Sequence, residues 1–258
     1  MVGEIKTFYE SYDEDNRLFK DKAHLAEYLT TIRYFDRLFT PNSQILDACA
    51  GTGRYSFYLA DKGHKVTACD LVNHNVNIIK SKPAATKLTD ILTCNVLDLS
   101  QFKNNSFDVV LCMGAMYHLG SDAEKTQAIR ECVRVCKPGG YVVLSYMNYF
   151  AVTAAELSEG LANLDDVLTA FEDGSDFFWK ATTPAKMEQY TKNEGLDVTH
   201  NIGADGLSFI LREKVNTATD EIFEKWMDFI YKHCENPALL GYSMHGLLIG
   251  KKTDCKIL

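Results

Sequence analysis

The alternation of short apolar segments with helical stretches between residues 44 and 147 constrains the fold of this chain most strongly. The apolar segments have the length of strands, and the stretches between them carry apolar residues at helical spacing. Because each parallel strand needs a crossover connection, usually a helix, this order predicts a parallel sheet with helices on both faces. The predicted strands have the sequences QILDA, KVTACD, DILTCN, FDVVLCM and YVVLSYM.

The composition argues against two classes of partner. The chain has 27 basic and 35 acidic side chains and a net charge of −8, so it lacks the positive charge that binds nucleic acid. Apolar runs stay well short of the roughly 20 residues that span a bilayer, and the N-terminal segment is too acidic for a signal peptide. We expect no nucleic acid, no membrane and a cytoplasmic protein. Its eight cysteines are irregularly spaced, which predicts reduced thiols.

The first strand runs into the turn ILDACAGTGRYS, which indicates a nucleoside cofactor. Gly51 and Gly53 let the backbone approach a ligand and adopt positive φ. Asp70 follows Gly51 by 19 residues at the end of the second strand, where a carboxylate accepts hydrogen bonds from ribose hydroxyls. A dinucleotide turn would have a third glycine where this chain has Ser56. The acid Asp47 would also repel a pyrophosphate, so a cofactor with a cationic end fits better.

Four segments resemble the class I S-adenosylmethionine-dependent methyltransferase family, in order along the chain. They are ILDACAGTGRYSFYLADKGHKVTACD, NVLDL, NNSFDVVLCMGAMYHL and RECVRVCKPGGYVVLSY, and YHL with FYESYDEDNRL resembles a small-molecule branch of that family. The resemblance implies a Rossmann-like α/β fold: a seven-stranded sheet, mostly parallel with an antiparallel last strand, plus an N-terminal helical arm and a helical cap. It also implies S-adenosyl-L-methionine as cofactor and S-adenosyl-L-homocysteine as product.

The resemblance also assigns roles to the residues at the strand ends. Asp47 and the turn at 49–53 lie beside the methionine part of the cofactor, and Asp70 holds the ribose. Asn95 and Val96 face the adenine, and Met113 lies near the sulfonium. The family commonly has a glycine at the position of Cys49. The predicted cofactor-binding residues are Tyr12, Asp47, Cys49, Ala50, Gly51, Gly53, Asp70, Leu71, Asn95, Val96 and Met113.

Tyr117 and His118, just past the fourth strand, are the candidate catalytic residues. Either could position the acceptor or remove its proton, because histidine titrates near neutral pH. The structural alternative for His118 is a hydrogen-bonded residue in an apolar wall. Tyr9 and Tyr12 on the arm could close over the pocket and face the sulfonium, or simply pack the arm. The histidines and cysteines lack the spacing of a metal site.

We divide the chain into one domain with appended segments. Aromatic residues at 171 and 177–179 suggest that the cap faces a partly apolar acceptor. The predicted parts are an N-terminal arm and helix that form a lid (1–40), the cofactor-binding half (41–149), a helical cap insertion (150–182), the C-terminal part of the same domain (183–252) and a tail (253–258).

The favoured function is methyl transfer from S-adenosylmethionine to a nitrogen, oxygen or sulfur atom of a small molecule. One alternative is a non-catalytic regulatory module that binds S-adenosylmethionine or another nucleoside. The other is an NAD-dependent oxidoreductase, which Ser56 disfavours. The sequence leaves the acceptor and the oligomeric state open, because acceptor choice lies in the arm and cap, which carry the weakest motifs.

Overall fold

The computed structural model describes residues 2–158, 160, 164, 165, 169 and 180–253 of the 258-residue chain. Within this part the strands are β1 (Gln44–Asp47), β2 (Lys65–Asp70), β3 (Asp90–Thr93), β4 (Phe107–Met113), β5 (Cys136–Met147), β6 (Leu196–Gly203) and β7 (His245–Lys252). The helices are α1 (Val2–Ser11), α2 (Lys22–Leu38), α3 (Arg54–Asp61), α4 (Asn73–Ser81), α5 (Asp122–Val135), α6 (Tyr149–Ser158), α7 (Pro184–Asn193), α8 (Arg212–Thr217), α9 (Asp220–His233) and α10 (Pro237–Leu240).

All seven strands form one sheet in the order β3-β2-β1-β4-β5-β7-β6. β7 pairs antiparallel with β5 and β6, whereas the other neighbouring strands pair parallel. The predicted fold is therefore confirmed, including its antiparallel last strand. The chain order reverses beside β1, since β2 and β3 lie on one side and β4 on the other. A crevice forms outside the carboxyl ends of the strands at such a point.

The core consists of two apolar clusters, one on each face of the sheet. Ile45 and Leu111 belong to one cluster with Phe35 of α2, whereas Leu46 and Val110 belong to the other. Successive residues alternate between the clusters because side chains on a strand point to opposite faces. Helices α2, α3 and α9 cover the first face, and α5 and α7 cover the second. The buried sheet fixes the strand ends, and with them the position of the crevice.

Most element bounds follow the sequence patterns, and the differences lie after β4. β5 begins at Cys136, so the segment KPGG that we expected to turn before the strand is part of it. The segment LSFIL forms turns ahead of α8. Only α6 and a few other residues of the expected cap belong to the described part, and the aromatic residues at 171 and 177–179 lie outside it.

Two properties follow from the described residues alone. None of their helices is both long and apolar enough to span a bilayer. Their seven cysteines are free thiols, six of which are buried, and Cys49 is partly buried. The thiols therefore act mainly as small apolar side chains in the packed sheet and helices.

Candidate functional site

The turn after β1 is fastened to the strands on either side of it. The Ala48 N–H donates to the carbonyl of Leu111 on β4 (2.8 Å), and the Ala50 N–H donates to that of Cys69 on β2 (2.9 Å). These bonds hold the turn at the point where the strand order reverses, because β1 lies between β2 and β4. Its backbone therefore forms one wall of the crevice.

Gly51 and Gly53 have φ values of +54° and +88°, in the left-handed region that favours glycine. Among the described residues other than glycine, a positive φ occurs only at Asn42 and Asn105. Cys49 consequently has an ordinary backbone conformation. The turn therefore needs glycine at residues 51 and 53, and it accepts a side chain at residue 49.

Asp70 joins the turn to the end of β2. Its carboxylate accepts hydrogen bonds from the Gly51 N–H (2.8 Å), the Val72 N–H (2.8 Å) and the Asn75 side-chain amide (3.2 Å). Burial raises the pKa of Asp70, although these three bonds lower it. A carboxylate has about four lone-pair sites, so about one remains to accept a hydrogen bond from a ligand. Asp70 therefore both shapes the turn and presents an acceptor to the cavity.

Asp47 lies beneath the turn and does not line the cavity. Its carboxylate accepts a hydrogen bond from the Ser56 hydroxyl (2.6 Å) and one from the Cys49 N–H. Burial raises the pKa of Asp47 to about 7, and the nearby Asp70 adds to the shift. Ser56, at the position of the third glycine in a dinucleotide-binding turn, thus has a structural role as a donor to Asp47.

A cleft of about 1170 Å³, its open mouth included, lies over the strand ends and brings most of the predicted site together. Leu71 follows β2, and Asn95 and Val96 follow β3, so they line the side of the cleft nearest those strands. The Asn95 side-chain oxygen accepts a hydrogen bond from the Leu97 N–H (3.0 Å). Ten predicted residues line the cleft: Cys49, Ala50, Gly51, Asp70, Leu71, Asn95, Val96, Met113, Tyr117 and His118.

Three predicted residues lie outside the lining. Asp47 is beneath the turn, and Gly53 is the N-cap of α3. Tyr12 is 38% exposed and stacks on Phe8, with ring centroids 4.9 Å apart. Their contact with a cofactor stays a prediction, since none of the three lines the cleft.

The arm reaches the catalytic candidates through Tyr9. The Tyr9 hydroxyl lies 2.9 Å from Nε2 of His118, and both residues line the cleft. Burial lowers the pKa of His118 to about 4, so the imidazole is neutral at pH 7 and has one nitrogen that accepts a hydrogen bond. Burial also raises the pKa of Tyr117, which keeps its hydroxyl protonated. The site thus presents a neutral imidazole and two neutral phenols.

The structure adds an ionic cluster that the sequence did not reveal. Arg17 forms a two-pronged pair with Glu27, with Nη1–Oε2 at 2.8 Å and Nη2–Oε1 at 3.1 Å. Glu14 lies above Gly51, where an added Cβ would be 3.3 Å from the Glu14 Cγ. Glu14, Arg17 and Glu27 all line the cleft. Burial raises the pKa of Glu14, an effect that Arg17 opposes.

The cluster continues into the core beyond Glu27. Nδ1 of His245 lies 3.4 Å from Oε2 of Glu27 and 2.7 Å from Oδ2 of Asp205. Burial acts to raise the pKa of Glu27, but the positive charges of Arg17 and His245 outweigh it and lower the pKa to about 2. Glu27 is therefore ionised, and Arg17 is held against it at the inner wall of the cleft.

This cluster has no local signal in the sequence. The run DEDNR at residues 13–17 is typical of a solvated loop. Glu27 falls on the helix after it, and His245 is at the start of the last strand. Glu27 gave no signal either, because only the structure shows that this acid is buried.

A family model for a methyltransferase domain matches residues 46–144 of the chain. This range includes the glycine turn, Asp70, Asn95 and the Tyr117–His118 pair. This segment is therefore a methyltransferase domain, as the resemblance to the class I S-adenosylmethionine-dependent family predicted. The matched range contains the glycine turn and the carboxylate of Asp70 at the switch point of the sheet.

Relatives and solved structures are consistent with this family. The methyltransferase is 28% identical over 173 residues to a ubiquinone biosynthesis O-methyltransferase of Xanthomonas euvesicatoria, matching 67% of this chain and 68% of that protein. It is 23% identical over 167 residues to the putative methyltransferase YqeM of Bacillus subtilis, matching 60% of this chain and 68% of that protein. The chain thus spans about two thirds of the length of these relatives.

The structural neighbours share the fold at low identity. A chain of the complex between the Haloferax volcanii Trm112 methyltransferase activator and the putative methyltransferase has a TM-score of 0.63 and 17% identity, covering 97% of this chain and 98% of its own. A methyltransferase of Methanosarcina mazei has a TM-score of 0.59 and 19% identity, covering 85% of this chain and 97% of its own.

Proposed function

We propose that this methyltransferase transfers a methyl group from S-adenosyl-L-methionine to a nitrogen, oxygen or sulfur atom of a small molecule, with S-adenosyl-L-homocysteine as product. The observation that carries the proposal is a single cleft that contains both the cofactor-type turn with Asp70 and the His118, Tyr117 and Tyr9 side chains. One part of the cleft is suited to a nucleoside and another part presents neutral polar side chains. Such a cavity suits a transfer reaction between two substrates.

The residues present fit the cofactor. Gly51 leaves space at the turn that a Cβ would fill, since such an atom would lie 3.3 Å from Glu14. Asp70 has an acceptor site for the ribose, and Asn95 and Val96 offer polar groups for the base. Glu14 provides a carboxyl group near the turn, where a cationic amino-acid end would be stabilised. Asp47 stabilises the turn itself rather than the ligand.

When bound, S-adenosylmethionine supplies a methyl group that its cationic sulfur has already activated. The protein has then to orient the acceptor and exclude water, and positioning alone contributes about 7 to 11 kcal/mol. The neutral imidazole of His118 accepts a hydrogen bond or a proton from the acceptor, and Tyr9 orients the ring. Tyr117 closes the same wall of the cleft.

Two observations support a small acceptor. His118 and Tyr117 are half-buried and line a cleft, and the net charge of −8 opposes a polyanion. The relatives named ubiquinone biosynthesis O-methyltransferases favour a hydroxyl group as one acceptor to test.

Calorimetric titration with S-adenosylmethionine, S-adenosylhomocysteine and NAD tests the cofactor. We expect both sulfur nucleosides to bind and NAD not to bind; the reverse result would contradict the proposal. A panel of phenols, amines and thiols then tests transfer, measured as formation of S-adenosylhomocysteine. Tight cofactor binding without transfer to any acceptor would instead favour a regulatory binding module.

A further inference from the structure

Asp15, on the arm, contacts the cofactor turn from outside the cleft. Its Oδ1 accepts a hydrogen bond from the Thr52 hydroxyl at 2.9 Å, and its backbone carbonyl accepts one from Nε of Arg54 at 2.7 Å. Thr52 lies between the two glycines of the turn, and Arg54 follows them as the first residue of α3. One arm residue is thus bonded to both flanks of Gly53.

Lys82, the residue directly after α4, completes this contact. Its Nζ lies 2.5 Å from Oδ1 of Asp15 and 2.8 Å from the carbonyl oxygen of Thr52. The ammonium group therefore bonds the arm and the turn at the same time. Arg54 adds a second link, because its guanidinium lies 5.0 Å from the centre of the Phe19 ring further along the arm. We name Asp15, Thr52, Arg54 and Lys82 the arm fastener.

The arm fastener lies beside the residues through which the arm lines the cleft. Glu14, directly before Asp15, lies over Gly51, and Arg17 pairs with Glu27 in the cleft. At the other end of the covering segment, Tyr9 bonds to His118. The segment from residue 9 to residue 17 is therefore held at both ends across the cavity, and one end is attached to the turn itself.

We propose that Asp15 is a positioning residue that holds the arm closed over the cofactor turn and thereby slows the departure of cofactor and product. This inference rests on the proposed function, since it assumes that the cleft holds the sulfur nucleosides. A ligand that lies between the turn and Glu14 leaves when the arm separates from the turn. The bonds of Asp15 to Thr52 and Lys82 must break for that separation.

The chemistry of the fastener is suited to reversible closure. Partial burial raises the pKa of Asp15, but hydrogen bonds from Lys82 and Thr52 outweigh it and lower the pKa below the ordinary value. The carboxylate is thus charged at neutral pH. About a third of the Asp15 side chain and a fifth of the Lys82 side chain are exposed. Ion pairs at such exposure are weakened by salt, so the contact between the arm and the turn can break and form again.

The test is the dissociation rate of S-adenosylmethionine and of S-adenosylhomocysteine from the full chain, measured by stopped-flow competition. Asp15→Asn keeps the size of the side chain and removes its charge, and we expect dissociation to become about tenfold faster. The matched control is Asp13→Asn, because Asp13 is on the same segment and its side chain bonds only to Asn16 among the contacts described. We expect it to change the rate by less than about twofold.

Lys82→Met tests the same contact from the other side. The two substitutions share the Asp15–Lys82 contact, so the double variant should dissociate more slowly than the product of the two single effects predicts. High salt should speed dissociation from the wild type more than from Asp15→Asn. Equal rates for wild type and Asp15→Asn, or an equal effect of Asp13→Asn, would overturn the inference. A wild type that binds neither nucleoside would instead contradict the proposed function.

Discussion

The turn side and the arm side of the cleft are built from different kinds of contact. On the turn side, backbone N–H groups of Ala48, Ala50 and Gly51 bond to adjacent strands or to Asp70. On the arm side, side chains pair across long stretches of chain, as Tyr9 and His118 do at a separation of 109 residues. The turn side is thus determined by sheet geometry, and the arm side by individual side-chain partners.

This difference concerns how each side is specified. The turn side depends on residues that one strand, turn and helix position locally, so it is recognisable as a motif. The arm side depends on pairs such as Arg17 with Glu27, which a substitution can change without altering the turn. Variants on the two sides should therefore differ in what they change: arm variants should affect arm stability, transfer and the rate at which the donor leaves, and turn variants should affect the affinity for the donor.

The largest effect is expected from Arg17→Met. Glu27 is 4% exposed, and His245 would be its only remaining charged partner among the contacts described. Leaving a buried charge poorly paired costs about 3 to 5 kcal/mol, so the free energy of unfolding should fall by about 3 kcal/mol in urea denaturation. Adding Glu27→Gln should restore more than half of the loss. A loss below about 1 kcal/mol in the single variant would show that the pair does not anchor the arm.

Asp70→Asn tests the turn side. The amide loses one acceptor oxygen, so it cannot keep the bonds to Gly51, Val72 and a ribose hydroxyl together. We expect the affinity for S-adenosylmethionine to fall roughly a hundredfold, from about 3 kcal/mol of lost hydrogen bonding. Asp108→Asn is the control, because Asp108 bonds to Gln44 and Lys137 at the opposite end of the strands. Unchanged affinity in Asp70→Asn would contradict the placement of the cofactor.

Asp47 gives the turn side a pH dependence. Burial raises the pKa of Asp47 to about 7, whereas an unfolded aspartate titrates near pH 3.9. Between these values the folded state binds more protons, so the free energy of unfolding falls as pH rises, by up to about 1.4 kcal/mol per pH unit. Asp47→Asn should flatten this slope in urea denaturation at pH 5 and pH 7. An unchanged slope would show that Asp47 is ionised throughout.

Tyr9→Phe should have the smallest effect and should act on the acceptor alone. The loss of one hydrogen bond to His118 is worth about 1 kcal/mol, so kcat/KM for the acceptor should fall about fivefold with cofactor affinity unchanged. Tyr242→Phe, at an exposed tyrosine, is the control. Burial lowers the pKa of His118 to about 4, so the acid limb of kcat/KM should lie well below pH 6.5 in the wild type. A cofactor affinity that falls with kcat/KM would remove the distinction between the two sides.

The sequence predicted the parts of the site whose partners are near in the chain or fixed by strand order. Asp70 and the turn glycines were predictable because parallel strands bring their carboxyl ends to one edge. Asp47 was predicted to bind the cofactor, but its carboxylate bonds to Ser56 beneath the turn and does not line the cleft. The sequence did not show which way this side chain points at the end of β1. Glu14, Arg17 and His245 were missed because their charges have no periodic pattern.

The succession of strands and helices along the chain, the glycine turn and the acid at the end of β2 were determined by the sequence, because local hydrogen bonds and hydrophobic alternation act over short distances. The closure of the arm was decided only by the tertiary structure. Asp15 meets Lys82, and Arg17 meets a glutamate that His245 also holds, only after the sheet has assembled. An ion pair needs two side chains within about 4 Å, and in this chain the fold is what supplies that distance.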